Sequence, residues 1–360
     1  MATATQSDPV SRLMMRPPAW LRAAEWGWLP DWMLRLGIRM LLRARLREAS
    51  RGGIEDQTGR LGHWVKVLRD SPIAPVPEAA NRQHYEQPVE FFRTLLGPHL
   101  KYSAGYWPPG VTHLAQAEEA ALDLVCQRAQ IADGQTILDL GCGWGSFSLY
   151  AASRYPSSRI LSVSNSRLQA EWIKDESRRR GLYGIEVQTA DVNTFDTPWR
   201  FDRIVSIEMF EHVRNYEMLL RNLASWGRDQ ARLFVHVFCH RFFAYPFEAT
   251  GPTDWMAREF FSGGQMPSAD LLLHFQDHWT ILDRWALSGT HYAKTCRAWM
   301  DQLDGERERV LGIFATSGDG TRSARVEFER WRLFILSCES LFGFRGGREW
   351  LVSQLLFRKR

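Results

Sequence analysis

The chain is poor in the features that would take it out of the ordinary globular class. Its 360 residues include five cysteines: Cys126, Cys142, Cys239, Cys296 and Cys338. An odd, scattered set without metal-ligand spacing argues against a disulfide framework or a zinc site. It points to reduced thiols in a cytoplasmic protein, and no metal is expected. No apolar run approaches the ~20 residues of a membrane span. Near the start, Met14, Met15 and Arg16 stand where an export signal needs a continuous apolar core, so none is expected. The net charge is only +4, which does not suggest a nucleic-acid partner. No internal repeat is evident.

What is present is globular: 45% hydrophobic and 24% charged residues, enough for one large or two ordinary domains. Of sixteen tryptophans, Trp20, Trp26, Trp28 and Trp32 crowd the amino end. Residues 1–18 read as a loose arm. From Asp31 to about Ala49, Leu34, Ile38, Leu41, Leu42 and Leu46 recur at helical spacing. Arg35, Arg39, Arg43 and Arg47 fall four apart and line one face of that helix. Such a row can meet anionic lipid or simply be solvated, so a weak peripheral membrane contact stays open. Arg51-Gly-Gly-Ile breaks the helix, and Ser71 to Pro77 reads as a connector. Helices are expected over 88–96 and 115–129.

Beyond that point strands and helices alternate. Strand patterns fall at 137–140, 159–163, 185–189, 202–207 and 233–239, and helical ones at 146–153, 167–180 and 216–226. Alternation of this kind predicts a mostly parallel sheet with helices on both faces. Ligands then bind at the carboxyl ends of the strands. Residues 241–276, rich in aromatics, Pro and Gly, suggest a substrate-facing insertion. Residues 306–343 read as mainly helical.

Two segments carry chemistry. The first is Ile137-Leu-Asp-Leu-Gly-Cys-Gly-Trp-Gly-Ser-Phe147, a buried strand, a glycine turn and a helix start. Glycines there let the backbone approach a ligand closely. A dinucleotide fold shares this geometry, but the following strand, Leu161-Ser-Val-Ser-Asn165, ends without the Asp or Glu that holds an NAD ribose. Asp139 before Gly141, Gly143 and Gly145 resembles motif I of the class I S-adenosylmethionine methyltransferases. Asp191 followed by Val192, past a later strand, suits an adenine site: a carboxylate for the amino group and an apolar wall. The competing reading is a turn cap.

The second segment is Ser206-Ile-Glu-Met-Phe-Glu-His-Val213. Two carboxylates and an imidazole lie within five residues, just past a strand end. A helical turn would place Glu208, Glu211 and His212 on neighbouring positions. These groups can exchange protons near neutral pH. Paired carboxylates also favour a cationic substrate.

From about residue 31 onward the sequence resembles the coclaurine N-methyltransferase group, related to the cyclopropane-fatty-acid synthases. The matches include Tyr102-Ser103, Asp139-Leu-Gly-Cys-Gly143, Ser164-Asn-Ser166 with Gln169, Glu208-Met-Phe-Glu-His212, Cys239-His240 and Phe275-Gln-Asp277. The resemblance implies S-adenosylmethionine as methyl donor. Gly141, Gly143, Tyr102 and Ser103 would surround its methionine part. Ser164, Asn165 and Gln169 would replace the usual ribose-binding acid, and Asp191 and Val192 would hold adenine. Glu208, Glu211 and His212 would form the acid-base cluster, with His212 taking the proton of a small aromatic or alkaloid-like amine.

The synthases resemble the chain too, and methyl or methylene transfer to an unsaturated acyl chain is the alternative activity. They need a bicarbonate site. Glu211 matches one of its ligands and His236 another. Ala104 stands where they carry cysteine, Glu208 where they carry a small residue, and Phe334-Ile-Leu336 where they carry a late tyrosine. Those departures count against bicarbonate chemistry. A non-catalytic methyl-donor-binding protein is the third reading, disfavoured by the intact motifs. The expected architecture is α/β and Rossmann-like. A helical cap would span 19–114, a cofactor core 115–240, and a substrate-facing insertion with helices 241–360. A homodimer is left open.

Overall fold

The computed structural model describes residues 18–75, 87–249, 251, 253–317 and 322–360. The loose arm expected over 1–18 lies almost wholly outside them. Among the described residues, four amino-terminal helices come first: α1 (Ala19–Glu25), α2 (Asp31–Ala49), α3 (Ile54–Asp70) and α4 (Val89–Leu95). The alternating core follows as α5 (Leu114–Arg128), β1 (Thr136–Leu140), α6 (Ser146–Arg154), β2 (Arg159–Ser164), α7 (Arg167–Arg179), β3 (Ile185–Thr189), β4 (Phe201–Ile207), α8 (Tyr216–Trp226) and β5 (Gly227–His240). The remainder is β6 (Tyr245–Pro246), α9 (Trp255–Glu259), β7 (Gln265–Met266), β8 (Trp279–Leu287), α10 (Gly289–Gly305), α11 (Arg307–Ser317), α12 (Ala324–Phe342) and β9 (Trp350–Lys359).

The seven-stranded sheet has the order β3-β2-β1-β4-β5-β9-β8. Its first five strands are parallel, and β9 runs antiparallel to both β5 and β8. The central strands are apolar because both faces are covered: Ile137, Leu138, Ile204 and Val205 are fully buried. Strand order reverses between β1 and β4, which creates a crevice at their carboxyl ends. The glycine turn follows β1 and Glu208 follows β4, so both chemistry-bearing segments reach one switch point.

The carboxyl-terminal strands are a departure from the sequence reading. Neither β8 nor β9 was expected, and β5 begins six residues before the expected Leu233. The break at Arg51-Gly-Gly-Ile is also brief, because α3 starts at once. Its Val65 and Leu68 are buried, with Leu61 and Trp64 packed beside them at helical spacing. Residues 241–276 hold a two-stranded ribbon, β6–β7, and short helical turns.

Of the amino-terminal helices, α1, α2 and α4 share one apolar core with α10, α11 and α12, whereas α3 packs into the core under the sheet. Phe91 and Phe92 of α4 pack on Trp331 of α12 at 4.7 and 6.0 Å between ring centroids. Arg332 of α12 donates to both oxygens of Asp31 at 2.6 and 2.9 Å, tying the start of α2 down. The segment after α4 is anchored by one buried carboxylate. Glu118 of α5 accepts from the backbone N–H groups of Gly97, His99 and Lys101 at 3.0, 2.9 and 3.4 Å. Removing it strands three donors in a dry site. Glu118→Ala should therefore cost about 3 kcal/mol of stability in chemical unfolding, with Glu118→Gln milder. A wild-type unfolding curve for Glu118→Ala would show that the anchor is dispensable.

Candidate active site

The glycine turn is held to its neighbour strand. The N–H groups of Gly141 and Cys142 both donate to the Val163 carbonyl, at 2.9 and 3.0 Å. Gly143 has φ +53°, in the left-handed region, and a Cβ there would meet nothing within 4 Å. It faces open space. Gly145, at φ +77°, instead admits Ile173, whose Cγ1 would lie 2.6 Å from an added Cβ. Asp139 lies beneath the turn. Its Oδ2 accepts from Ser148 Oγ at 2.6 Å, and burial pushes its carboxyl up to about 7 despite that bond.

The turn borders a cleft of about 100 Å³ lined by Gly141, Gly143, Ser164, Asn165, Gln169 and Val192. Ser164 Oγ donates to Gln169 Oε1 at 2.7 Å. The Gln169 Nε2 donor is buried and unpartnered among the described residues. A buried amide N–H normally has an acceptor. A ligand hydroxyl or carboxylate would supply one, so the cleft fits a polar cofactor such as the one the resemblance implies. Asp191 stands beside this cleft. It sits between the cleft residues Ala190 and Val192, but its Oδ1 accepts from the backbone and side-chain N–H of Asn193, both at 2.9 Å. That is the turn-cap arrangement. Asp139, Tyr102, Ser103 and Asp191 are not in the cleft wall.

A second cavity of about 600 Å³ lies alongside and includes Tyr102 in its lining. Its walls are largely aromatic and aliphatic, with Phe238, Tyr245, Phe261, Trp299 and Phe334 among them. Glu208 and His212 line both cavities. They occupy the junction.

Glu208 is the most connected of these groups. Its backbone is left-handed at φ +51°, which costs a non-glycine residue about 1–2 kcal/mol. Its Oε1 accepts from Ala104 N–H at 2.8 Å and meets His236 Nε2 at 3.2 Å. Its Oε2 accepts from the Tyr292 hydroxyl at 2.7 Å. Behind His236 runs a chain of donors. Arg128 Nη1 donates to Gln354 Oε1 at 2.5 Å, and Gln354 Nε2 lies 3.0 Å from His236 Nδ1. With the amide so oriented, Nδ1 accepts and Nε2–H donates to Glu208. Burial would raise the Glu208 carboxyl. The His236 bond, the Lys101 charge and the Ala104 N–H outweigh it and hold the group below its ordinary value.

The neighbours take other states. Glu211 lies in a 3₁₀ turn, Phe210–His212, and lines neither cavity. Its Oε1 accepts from Phe238 N–H at 2.6 Å, while Oε2 is unpartnered among the described residues. Burial, reinforced by the Glu208 charge, pushes Glu211 well above the usual carboxylate range. Burial pushes His212 down to about 4, against the opposing Glu208 charge, so its imidazole is neutral.

Lys101 was missed in the sequence, where a lysine reads as surface. It is fully buried, and its Nζ donates to Ser103 Oγ and the Ala104 carbonyl, both at 2.6 Å. Burial lowers it to about 8, with Glu208 and Glu118 opposing. Tyr292 and Gln354 carried no local motif either. His240 and His291 accept backbone N–H bonds from Phe242, Phe243 and Trp107, a structural use.

A family profile described as mycolic acid cyclopropane synthetase matches residues 76–347. The (S)-coclaurine N-methyltransferase of Thalictrum flavum subsp. glaucum is 39% identical over 343 residues, 94% of this chain and 95% of that protein. The cyclopropane-fatty-acyl-phospholipid synthase of Escherichia coli (strain K12) is 28% identical over 279 residues, 75% of this chain and 66% of that protein. Among solved structures, coclaurine N-methyltransferase bound to N-methylheliamine and S-adenosylhomocysteine superposes with a TM-score of 0.88 at 37% identity, covering 94% of this chain and 98% of that one.

Gly143 provides a direct test of the cleft. Gly143→Val adds a branched side chain at a left-handed position facing open space. S-adenosylmethionine binding by calorimetry should fall at least about tenfold while cooperative unfolding persists. Unchanged affinity would remove the glycine turn from the binding site.

Proposed function

The chain belongs to the mycolic acid cyclopropane synthetase family of S-adenosylmethionine-dependent methyltransferases, and on that footing we propose that it N-methylates a small aromatic or alkaloid-like amine. S-adenosylmethionine supplies an electrophilic methyl group. One observation carries the amine reading: an ionised Glu208 stands at the junction between the glycine cleft and an aromatic cavity of about 600 Å³. Aromatic walls suit a flat ring system. A carboxylate held ionised there suits the cation such an amine forms in water.

The proposed roles follow from the protonation states. Glu208 draws the ammonium to the junction and orients its N–H by charge-assisted hydrogen bonding. His212, unprotonated above about pH 4, offers a lone pair for the proton that must leave before nitrogen can attack. Tyr292 and His236 fix the carboxylate from two sides. Gly141, Gly143, Ser164, Asn165, Gln169 and Val192 hold the methyl donor, and Asp139 keeps the turn in shape from below. Tyr102 and Ser103 are read as methionine-side neighbours, and Asp191 as an adenine neighbour acting beside Val192.

The acyl-chain alternative fares less well on this geometry. His236, which matches a bicarbonate ligand of the synthases, already serves Glu208. No helix among the described residues is long and apolar enough to cross a membrane. All five cysteines are free and buried, which supports a cytoplasmic setting.

With an amine that turns over, Glu208→Gln and His212→Ala should each lower kcat by about 10²–10⁴, with the affinity for S-adenosylmethionine nearly intact. The His212→Ala defect should shrink as pH rises, because more amine arrives without its proton. If the two profiles stay parallel across the range, His212 is not the acceptor. If added bicarbonate stimulates the wild type on unsaturated phospholipid, the acyl activity is the right one.

A further inference from the structure

Five arginines gather on an outer face of the molecule that the methyl-transfer chemistry does not use. Arg39, Arg43 and Arg47 lie on α2, Arg241 just after β5, and Arg345 in the tight turn after α12. They line two adjoining depressions of about 460 and 420 Å³, with Arg43 and Arg345 common to both. Glu349 is the one carboxylate in either lining. It is engaged: Oε1 accepts from Arg345 Nη1 at 2.7 Å, and Oε2 lies 3.5 Å from His240 Nε2.

The rest of the same helix shows what ordinary neutralisation looks like. Arg35, one turn before Arg39, pairs with Glu339 at 2.7 Å, and Arg45 pairs with Glu48 at 3.0 Å. Of the row of four arginines read from the sequence, Arg35 is thus neutralised by an ion pair. Among the described residues, no carboxylate pairs with Arg39, Arg43, Arg47 or Arg241. Guanidinium groups brought together without counter-charge repel one another, and an anion relieves the repulsion.

The backbone adds a second, independent mark. Arg345 has φ +50°, followed by Gly346 at +70° and Gly347 at +72°. Left-handed conformation costs a non-glycine residue about 1–2 kcal/mol. Strain of that kind tends to collect where a side chain is being aimed. Here it places a guanidinium at the seam of the two depressions.

We propose that Arg39, Arg43, Arg47, Arg241 and Arg345 form a binding site for a phosphate group, distinct from the methyl-donor and amine cavities. Guanidinium offers paired N–H donors in a plane that matches two phosphate oxygens. Arginines from three separate elements can contact one phosphate from several sides. The surroundings are apolar: Trp32, Leu36 and Met40 lie exposed on α2, and Phe242 is 58% exposed under Arg241. The phosphate can come from a lipid headgroup or from a free phosphorylated compound.

The test uses the full chain at physiological salt, with two probes. Calorimetry measures inorganic pyrophosphate. Co-sedimentation measures phosphatidylcholine vesicles with and without phosphatidylglycerol. The comparison is the triple variant Arg43→Gln, Arg241→Gln, Arg345→Gln, with single Arg43→Gln as a milder form should the triple unfold. Binding of either probe by the wild type, weakened about tenfold or more in the variant, is expected. Pyrophosphate binding identifies a soluble phosphate ligand. Binding confined to phosphatidylglycerol vesicles identifies a lipid headgroup. Amine methylation in solution should be unchanged in the variant, because none of the three residues lines the cleft or the amine cavity. Failure of the wild type to bind either probe, or equal binding by wild type and variants, would overturn the proposal.

Discussion

One buried carboxylate joins the parts of this molecule. Glu208 sits just past β4 in a backbone conformation that disfavours it, and three donors from three other elements close on its two oxygens. Ala104 belongs to the loop after α4, His236 to β5 and Tyr292 to α10. A buried anion without such partners would cost several kcal/mol and would take up a proton instead. With them it stays ionised. The positions of the amino-terminal loop, the central sheet and the carboxyl-terminal helices are therefore all registered on one charge. Lys101 extends the same arrangement, as a buried cation fastened to Ser103 and Ala104 within the loop that supplies one of the donors.

Environment divides three similar residues into three states. Glu208 and Glu211 are both carboxylates in one short segment. Donors surround the first, and it ionises. The second meets burial and the charge of the first, and its carboxyl is pushed well above the ordinary value. His212 lies beside Glu208 yet remains neutral, because burial outweighs the attraction of the anion for an imidazolium. The junction of the two cavities thus presents one negative charge and one unprotonated base. That pairing can hold a cation and receive its proton, which is the demand amine methylation makes.

Part of this was legible in the sequence. Alternating apolar segments specified the parallel sheet, and the two chemistry-bearing segments had to fall at carboxyl ends of neighbouring strands. Other features depend on contacts no local pattern carries. Arg128, Gln354, His236 and Glu208 form one donor chain, yet Arg128 and Gln354 are 226 positions apart. Lys101 resembles any surface lysine until the loop buries it. β9 takes its identity from pairing with β5, and β8 from pairing with β9, contacts that no local pattern announces. Asp139 and Asp191 have the right chemistry for ligand contact, and Ser148 and Asn193 each bond one oxygen of them. Motif spacing locates a carboxylate without saying which partner will take it.

The central claim is that Glu208 is an anion before any ligand arrives. Difference infrared spectroscopy between wild type and Glu208→Gln, titrated through acid in the absence of substrate, isolates its carboxyl band. The account predicts a carboxylate signal that persists below the ordinary glutamate value of 4.5 and protonates at higher pH once Lys101 is replaced by methionine. A protonated carboxyl signal for Glu208 at neutral pH would contradict it.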